Sequence, residues 1–198
     1  MESRRAGEVR SAPEPKTVGE ERVDGRASER EPRLSVIVPV TERPEPLEEL
    51  VREYTPALKE LDEPFEMIFA VLPWYRDMAE PLLDMDCAAV SIRVLEVGQG
   101  TGEGVLLRMA ARRAEGDVIL TLPAYHRVEA SGLPNLVTAV REGADLAVAR
   151  RWPRRDSWIN RIQSSAFNWL QRLLVGGDIR DVACGVRAGR REVLLNLP

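Results

Sequence analysis

Three features of this 198-residue chain have residue types and spacing that could do chemistry: a glycine-rich run, a lone histidine and a set of arginines. Gly98-Gln99-Gly100-Thr101-Gly102-Glu103-Gly104 stands between an apolar run and a helical pattern. Backbone N–H groups of such a loop, placed at a helix N-terminus, can cradle a phosphate. The spacing fits neither common phosphate fingerprint, since the required glycines do not all fall in place and no Gly-Lys-Ser/Thr follows. The loop is therefore either a phosphate cradle or a tight connection. His126, the single histidine, follows Tyr125. It could act as a general base. With no carboxylate beside it in sequence, a plain loop residue is the simpler reading. Tyr125 could stack on a base or sugar, or cap the core. Cys184, in Asp181-Val-Ala-Cys-Gly-Val-Arg187, has no histidine or second cysteine nearby. That argues against zinc and against a nucleophile, leaving a small packing residue.

These residues need elements to position them. Leu34–Val40, Phe65–Leu72, Ser91–Val97, residues 117–122 and Ala144–Ala149 are short apolar runs, as expected of strands buried on both faces. Pro39 should end the first ladder. Between the strands, apolar residues recur at helical spacing. Leu47, Leu50, Val51, Tyr54, Leu58 and Leu61 form one such stripe, with Pro56 expected to kink or split it. Helices are also expected over 74–85, 103–114 and 132–142, and over 187–197. Ser157–Val175 is a strongly amphipathic helical pattern ended by Gly176-Gly177. Strand and helix alternate, which predicts an α/β layer fold with a mostly parallel sheet.

In such a sheet, ligands sit at the carboxyl ends of the strands. The second strand ends in Val71-Leu72-Pro73-Trp74 and the fourth in Leu122-Pro123-Ala124-Tyr125. Divalent metals take hard oxygen ligands, chiefly carboxylates. Neither strand end supplies one. Asp77 and Glu129 lie several residues further on and read as helix-surface charges.

The totals describe an ordinary globular chain, with 44% hydrophobic and 30% charged residues. Its length suits one domain. The two cysteines, Cys87 and Cys184, make no disulfide framework and fit a reducing compartment. No apolar run approaches the roughly 18 residues of a membrane span, and no signal-peptide core follows the first arginines. Residues 1–32 mix Pro, Gly, Ser and balanced charge, and are expected to be a disordered tail. The net charge of −4 conceals an acidic middle and a basic end, where residues 150–198 hold ten arginines and four acidic residues. That segment could face phosphate or anionic lipid, or pair with the acidic half. Trp152, Trp158 and Trp169 cluster in it, among Arg154, Arg155 and Arg161. This composition suits either a membrane-interface helix or a core-facing one.

The order of these motifs resembles the family 2 glycosyltransferases of the GT-A fold. Leu34-Ser-Val-Ile-Val-Pro-Val40 is similar to that family's opening strand. Residues 102–117 are similar to the loop and helix before its metal-bearing strand. Val148-Ala-Arg-Arg151 resembles its arginine-ended strand. Residues 181–194, with Asp181, Cys184-Gly185, Arg187 and Arg190-Arg191-Glu192-Val193-Leu194, resemble the polyprenyl-phosphate mannosyl- and glucosyltransferase branch. The resemblance covers about residues 34–197. It implies a GT-A-like three-layer sandwich over residues 33–198. It also implies a nucleotide-diphospho-sugar donor, Mg or Mn, a lipid-phosphate acceptor and a cytoplasmic place at the inner membrane face.

The departures fall on the functional positions. Glu42-Arg43 stands for the family's Asn-Glu, Val71-Leu72 or Leu72-Pro73 for its Asp-Asp, and Pro123-Ala124-Tyr125 for its Asp-x-Asp. The expectation is thus a family 2-like domain that has lost metal-dependent transfer, holds no metal, and serves as a binding or regulatory module. Its partners would be a nucleotide-sugar, a membrane surface or lipid phosphate, or another protein, and not nucleic acid. Pro39, Thr41, Glu42, Gly100, Gly102, Arg150 and Arg151 are the nucleotide-sugar candidates. Trp158, Trp169 and Arg187 are the acceptor-side or membrane-side candidates. The alternative is an active metal-independent transferase in which Arg150, Arg151 and the 98–104 loop bind the diphosphate.

Overall fold

The structure is a computed structural model that describes residues 18–23, 32–41, 44–85, 90–98, 102–126, 128–149 and 184–196. In chain order its elements are β1 (Val18–Val23), β2 (Leu34–Val40), α1 (Leu47–Lys59), β3 (Phe65–Val71) and α2 (Arg76–Leu83). Then follow β4 (Val90–Val97), α3 (Glu103–Arg113), β5 (Val118–Thr121), α4 (Leu133–Arg141), β6 (Leu146–Val148), β7 (Arg187–Arg190) and α5 (Arg191–Leu195). Single 3-10 turns at Pro73–Tyr75 and Ala130–Gly132 lead into α2 and α4.

The described strands form one sheet in the order β1-β4-β3-β2-β5-β7-β6. β4, β3, β2 and β5 are parallel, while β1 and β7 run against their neighbours. Alternate residues of each strand face opposite helix layers. Val36, Val38, Phe65, Met67, Phe69, Ile92 and Leu120 pack on one side with the buried stripes of α1, α2 and α4. Ile37, Ile68, Ala70, Leu95 and Ile119 pack on the other with α3. This is the expected α/β three-layer sandwich with a mostly parallel sheet. Burial on both faces is why β2 and β3 read as unbroken apolar runs rather than alternating ones.

Four local expectations are corrected. Part of the supposed disordered tail, Val18–Val23, is strand β1, paired antiparallel with β4. β4 would otherwise be the bare edge of the sheet, and an open edge attracts any nearby extended segment. Pro39 does not end the ladder with β3, which continues through Pro39↔Ala70 and Val40↔Val71. Ile37 accepts from Leu122 N–H on the β5 side. Pro39, two residues on, turns its missing N–H to that same side, where the β5 ladder has already finished at Ile37↔Thr121. α1 runs unbroken through Pro56. Finally, the expected last helix begins as a strand. Arg187–Arg190 pairs with both β5 and β6, and only Arg191–Leu195 is helical. The amphipathic pattern at 157–175 lies outside the described residues.

At the amino end of the sheet, one buried carboxylate joins the central strands to the start of β5. Register places Ser35 beside Glu66, on the α3 side. The Glu66 carboxylate accepts from Ser35 Oγ at 2.6 Å, Arg93 Nη1 at 2.7 Å and the Glu115 N–H at 2.7 Å. Ser35 Oγ in turn accepts from the Gly116 N–H at 2.9 Å. Glu66 and Ser35 are essentially inaccessible to solvent, so these bonds replace the water both groups lose. The approach is close enough to require glycine at 116. A Cβ there would lie 2.7 Å from Leu34 C and Ser35 N, and 2.8 Å from Ser35 Oγ.

Glu66→Ala leaves the buried Ser35 hydroxyl and the Glu115 N–H without their acceptor and leaves Arg93 only its more exposed partner Glu115, and is expected to cost roughly 2–5 kcal/mol in urea unfolding. Gly116→Ala is expected to cost about 1–3 kcal/mol by overpacking. A loss below about 0.5 kcal/mol in either variant would contradict this account of the amino end.

Candidate functional site at the carboxyl edge of the sheet

The residues singled out at the strand ends do meet at one edge. β2, β3 and β5 all finish there, and β7 begins beside the end of β5 through the pair Thr121↔Arg187. Thr121 Oγ1 donates to the Gly185 carbonyl at 2.9 Å, and Arg187 Nε donates to the Cys184 carbonyl at 3.1 Å. Arg187 is exposed at this edge, opposite Thr121. Cys184 is buried and in no disulfide, as a packing residue should be.

The other candidates divide. Pro39 is buried within β2 and offers no side chain to a dissolved ligand. Thr41 follows the end of β2 and is half-buried. Gly102 caps α3 with φ −77 and ψ 161, so its conformation does not demand glycine. A Cβ at Gly102 or Gly104 would meet nothing within 4 Å. At Gly102 and Gly104, then, glycine is required by neither crowding nor left-handed backbone. Glu42, Gly100, Arg150, Arg151, Trp158 and Trp169 lie outside the described residues. Asp77 and Glu129 are exposed, as surface charges.

The β5 tip itself is built without an acidic side chain. Pro123 and Tyr125 are half-buried and Ala124 is buried. The Ala124 carbonyl is already engaged, accepting from the Glu45 N–H at 2.9 Å. Mg and Mn take several hard oxygen ligands, usually including carboxylates. Proline, alanine and a phenol do not fit either ion. Among the described residues, no group of three or more His, Cys, Asp or Glu side chains is placed to hold a metal.

What the edge does have is an ion cluster that sequence reasoning missed. His126 Nδ1 contacts Glu45 Oε2 and Nε2 contacts Glu53 Oε2. The His126 N–H also donates to Glu45 Oε2 at 2.8 Å. The ring lies 6.2 Å from that of Tyr54. A neutral imidazole has one N–H, so carboxylates on both nitrogens call for the doubly protonated, cationic ring. The hydrogen bond to Glu45 holds His126 above its ordinary 6.5, against a smaller opposing effect of burial. The same bond holds Glu45 below its ordinary 4.5. The two glutamates are 81 and 73 residues away in sequence, and no local signal announces the meeting. Only the alternation of elements, which brings the β2–α1 and β5–α4 connections to one edge, could have suggested it.

A larger cavity, of about 690 Å³, opens at the opposite, amino edge and is lined by Arg33, Gly116, Asp117, Arg141, Arg190 and Arg191 among others. Three of these arginines have structural partners. Arg191 bonds the Ala111 and Arg112 carbonyls at the end of α3, Arg141 pairs with Glu63, and Arg190 lies 3.9 Å from Asp145. The size of this cavity does not make it the site, because the chemistry expected of this sheet belongs to the carboxyl edge.

With this geometry described, known proteins can be compared. No family model matches the chain. It is 26% identical over 164 residues to the undecaprenyl-phosphate 4-deoxy-4-formamido-L-arabinose transferase of Proteus mirabilis, covering 82% of this chain and 50% of that protein. The transferase of the same name from Serratia proteamaculans is 27% identical over the same shares. Among solved structures, it superposes on glucosyl-3-phosphoglycerate synthase from Mycobacterium tuberculosis in complex with Mn2+, UDP-glucose and phosphoglyceric acid. There the TM-score is 0.58 at 15% identity, over 81% of this chain and 57% of that one. The chain has a GT-A-like α/β fold and is a distant homologue of these undecaprenyl-phosphate sugar transferases. It spans about half the length of the curated relatives it matches. No helix among the described residues is long and apolar enough to cross a membrane.

The ion cluster fixes a pH dependence. His126 is raised in the folded state, so its contribution is complete below 6.5 and is lost as pH rises through the folded value. Glu45 is lowered, so its contribution is present above 4.5 and is lost as pH falls. The stability gap between the natural chain and His126→Gln should therefore be widest between pH 4.5 and 6.5. It should close toward alkaline pH. Because all three side chains are about a third or more exposed, the gap should stay near 1 kcal/mol or less. Thermal melts across pH check both sign and size. A gap that grows with alkalinity would contradict the assignment.

Proposed function

We propose that this is a glycosyltransferase family 2-like domain that has lost metal-dependent sugar transfer and works as a binding or regulatory module. One observation carries the reading: the tip of β5 presents Pro123-Ala124-Tyr125 where transfer chemistry needs a metal, and its neighbour His126 is held between two glutamates. Departure of a nucleoside diphosphate places charge on phosphate oxygens, and a bound metal ordinarily stabilises that charge. Among the described residues, no group of three or more His, Cys, Asp or Glu side chains is placed to hold the ion, and Glu45 and Glu53 are engaged with His126. A protonated imidazole already neutralised by two carboxylates is no substitute.

The homology nonetheless favours a ligand of the same class. The relatives are named for an undecaprenyl-phosphate acceptor, and one neighbouring structure holds UDP-glucose. A nucleotide-sugar, lipid phosphate at a membrane surface, or a partner protein is the class of ligand proposed here. Arg187 stands at the correct edge to meet an anion. The second reading, an active metal-independent transferase, rests on the same homology. It requires Thr41, Gly102, Arg187 and the candidate residues outside the described ones to complete a diphosphate site.

Calorimetry against UDP- and GDP-sugars, with and without Mn2+, together with a transfer assay to polyprenyl phosphate, decides between the two. The expected result is no turnover, and any donor binding that does occur should be unchanged within about two-fold by Mn2+. Turnover abolished by Arg187→Ala would replace the first reading with the second. Mn2+-dependent turnover would overturn both.

A further inference from the structure

The β2–α1 connection is fastened to the tip of β5 at several points, and all of them converge on one side-chain cluster. Glu45 N–H donates to the Ala124 carbonyl at 2.9 Å. His126 N–H donates back to Glu45 Oε2 at 2.8 Å. The His126 ring then binds the same Glu45 carboxylate through Nδ1 and reaches α1 through Nε2 and Glu53. The segment held in this way, residues 44–46, leads into α1 from the edge where β2 and β5 finish.

We propose that Glu45, His126 and Glu53 form a proton-dependent latch, which holds residues 44–46 and the start of α1 against the β5 tip and loosens that hold when the imidazole loses its proton. The reasoning is stereochemical. The cationic ring has a donor for each carboxylate, whereas the neutral ring turns a lone pair toward one of them. The two carboxylates then share a single ring N–H, with only the His126 backbone N–H besides it on Glu45, and the loss of the ring's positive charge weakens the hold on both. The groups facing the ring are Glu45 from the connection, Glu53 and Tyr54 from α1, and its chain neighbour Tyr125. The next residue, Arg127, is outside the described residues. The raised titration of His126 and the lowered titration of Glu45 agree in direction with this arrangement. The latch does not depend on whether the domain transfers sugar.

His126 is the only histidine, so its ring signals are unambiguous in the NMR spectrum of the full chain. Amide exchange, corrected for intrinsic rates, should be followed across the ring titration. Protection at the Glu45 and His126 amides is expected to fall about three-fold or more, the factor one exposed ion pair supplies. Its midpoint should match that of the ring. Protection at Leu122 N–H, bonded to the Ile37 carbonyl in the adjacent ladder, should stay level as the control. In His126→Gln the Glu45 amide should be unprotected to the same degree at every pH. Glu53→Gln, an exposed change on α1, should move the ring midpoint down toward 6.5. Protection that stays constant through the ring titration would overturn the latch. So would a Glu53→Gln midpoint equal to that of the natural chain.

Discussion

A carboxylate buried among strands must be fully bonded or it destabilises the sheet, and Glu66 meets that requirement with Ser35, Arg93 and the backbone of Glu115. The rest of the architecture follows from that demand. The donors come from β2, β4 and the α3–β5 connection, so the network joins three neighbouring strands to the entry of the fourth. Gly116 must pass within van der Waals contact of β2 for its N–H to reach Ser35. The register of β5 on β2 is thereby set from its first residue, with Leu34↔Val118. A slip of one residue would turn Ile119 and Leu120 to the wrong helix layers. The position of Pro123, Ala124 and Tyr125 at the far edge is thus decided at the near one.

The two edges of the sheet use ionic groups in opposite ways. At the amino edge the carboxylate is inaccessible, its bonds are short, and removal of a partner leaves an unsatisfied buried charge. At the carboxyl edge the carboxylates of Glu45 and Glu53 and the ring of His126 are about a third or more exposed. Water competes there, each contact is weak, and the arrangement can respond to a single proton. The first network gives rigidity, and the second permits adjustment over the edge where ligands of such sheets bind.

The layer order, the strand positions and the missing acidic tips were legible in the sequence, because each depends on residues close together in the chain. Leu34–Val40 and Phe65–Val71 are apolar throughout, and only a two-sided burial explains that. The helical spacing of Leu47, Leu50, Val51, Tyr54 and Leu58 outweighed the proline at 56, since the buried stripe survives the loss of one hydrogen bond. The errors lay where the decisive partner is remote. Val18–Val23 has little strand character of its own and is ordered by the open edge of β4. Arg187–Arg190 resembles the start of a helix, yet it fills the gap between β5 and β6. His126 lacked a carboxylate within the local sequence, and its two partners come from the other side of the edge.

That last case bears on a strand tip that carries no acidic motif. An Asp-x-Asp pair at a strand tip and an imidazolium cannot serve the same purpose. One holds a divalent cation that meets phosphate, whereas the other is a cation already neutralised by its own glutamates. What the imidazolium does do is bind a carboxylate at each ring nitrogen, joining Glu45 and Glu53 to the tip. In a sheet with no such charge, Glu45 and Glu53 would face one another across the tip with only water between them. A sheet of this kind is therefore compatible with a tip of Pro123, Ala124 and Tyr125 for a physical reason. The cation that organises the acidic neighbours of this edge is His126, supplied by the chain itself.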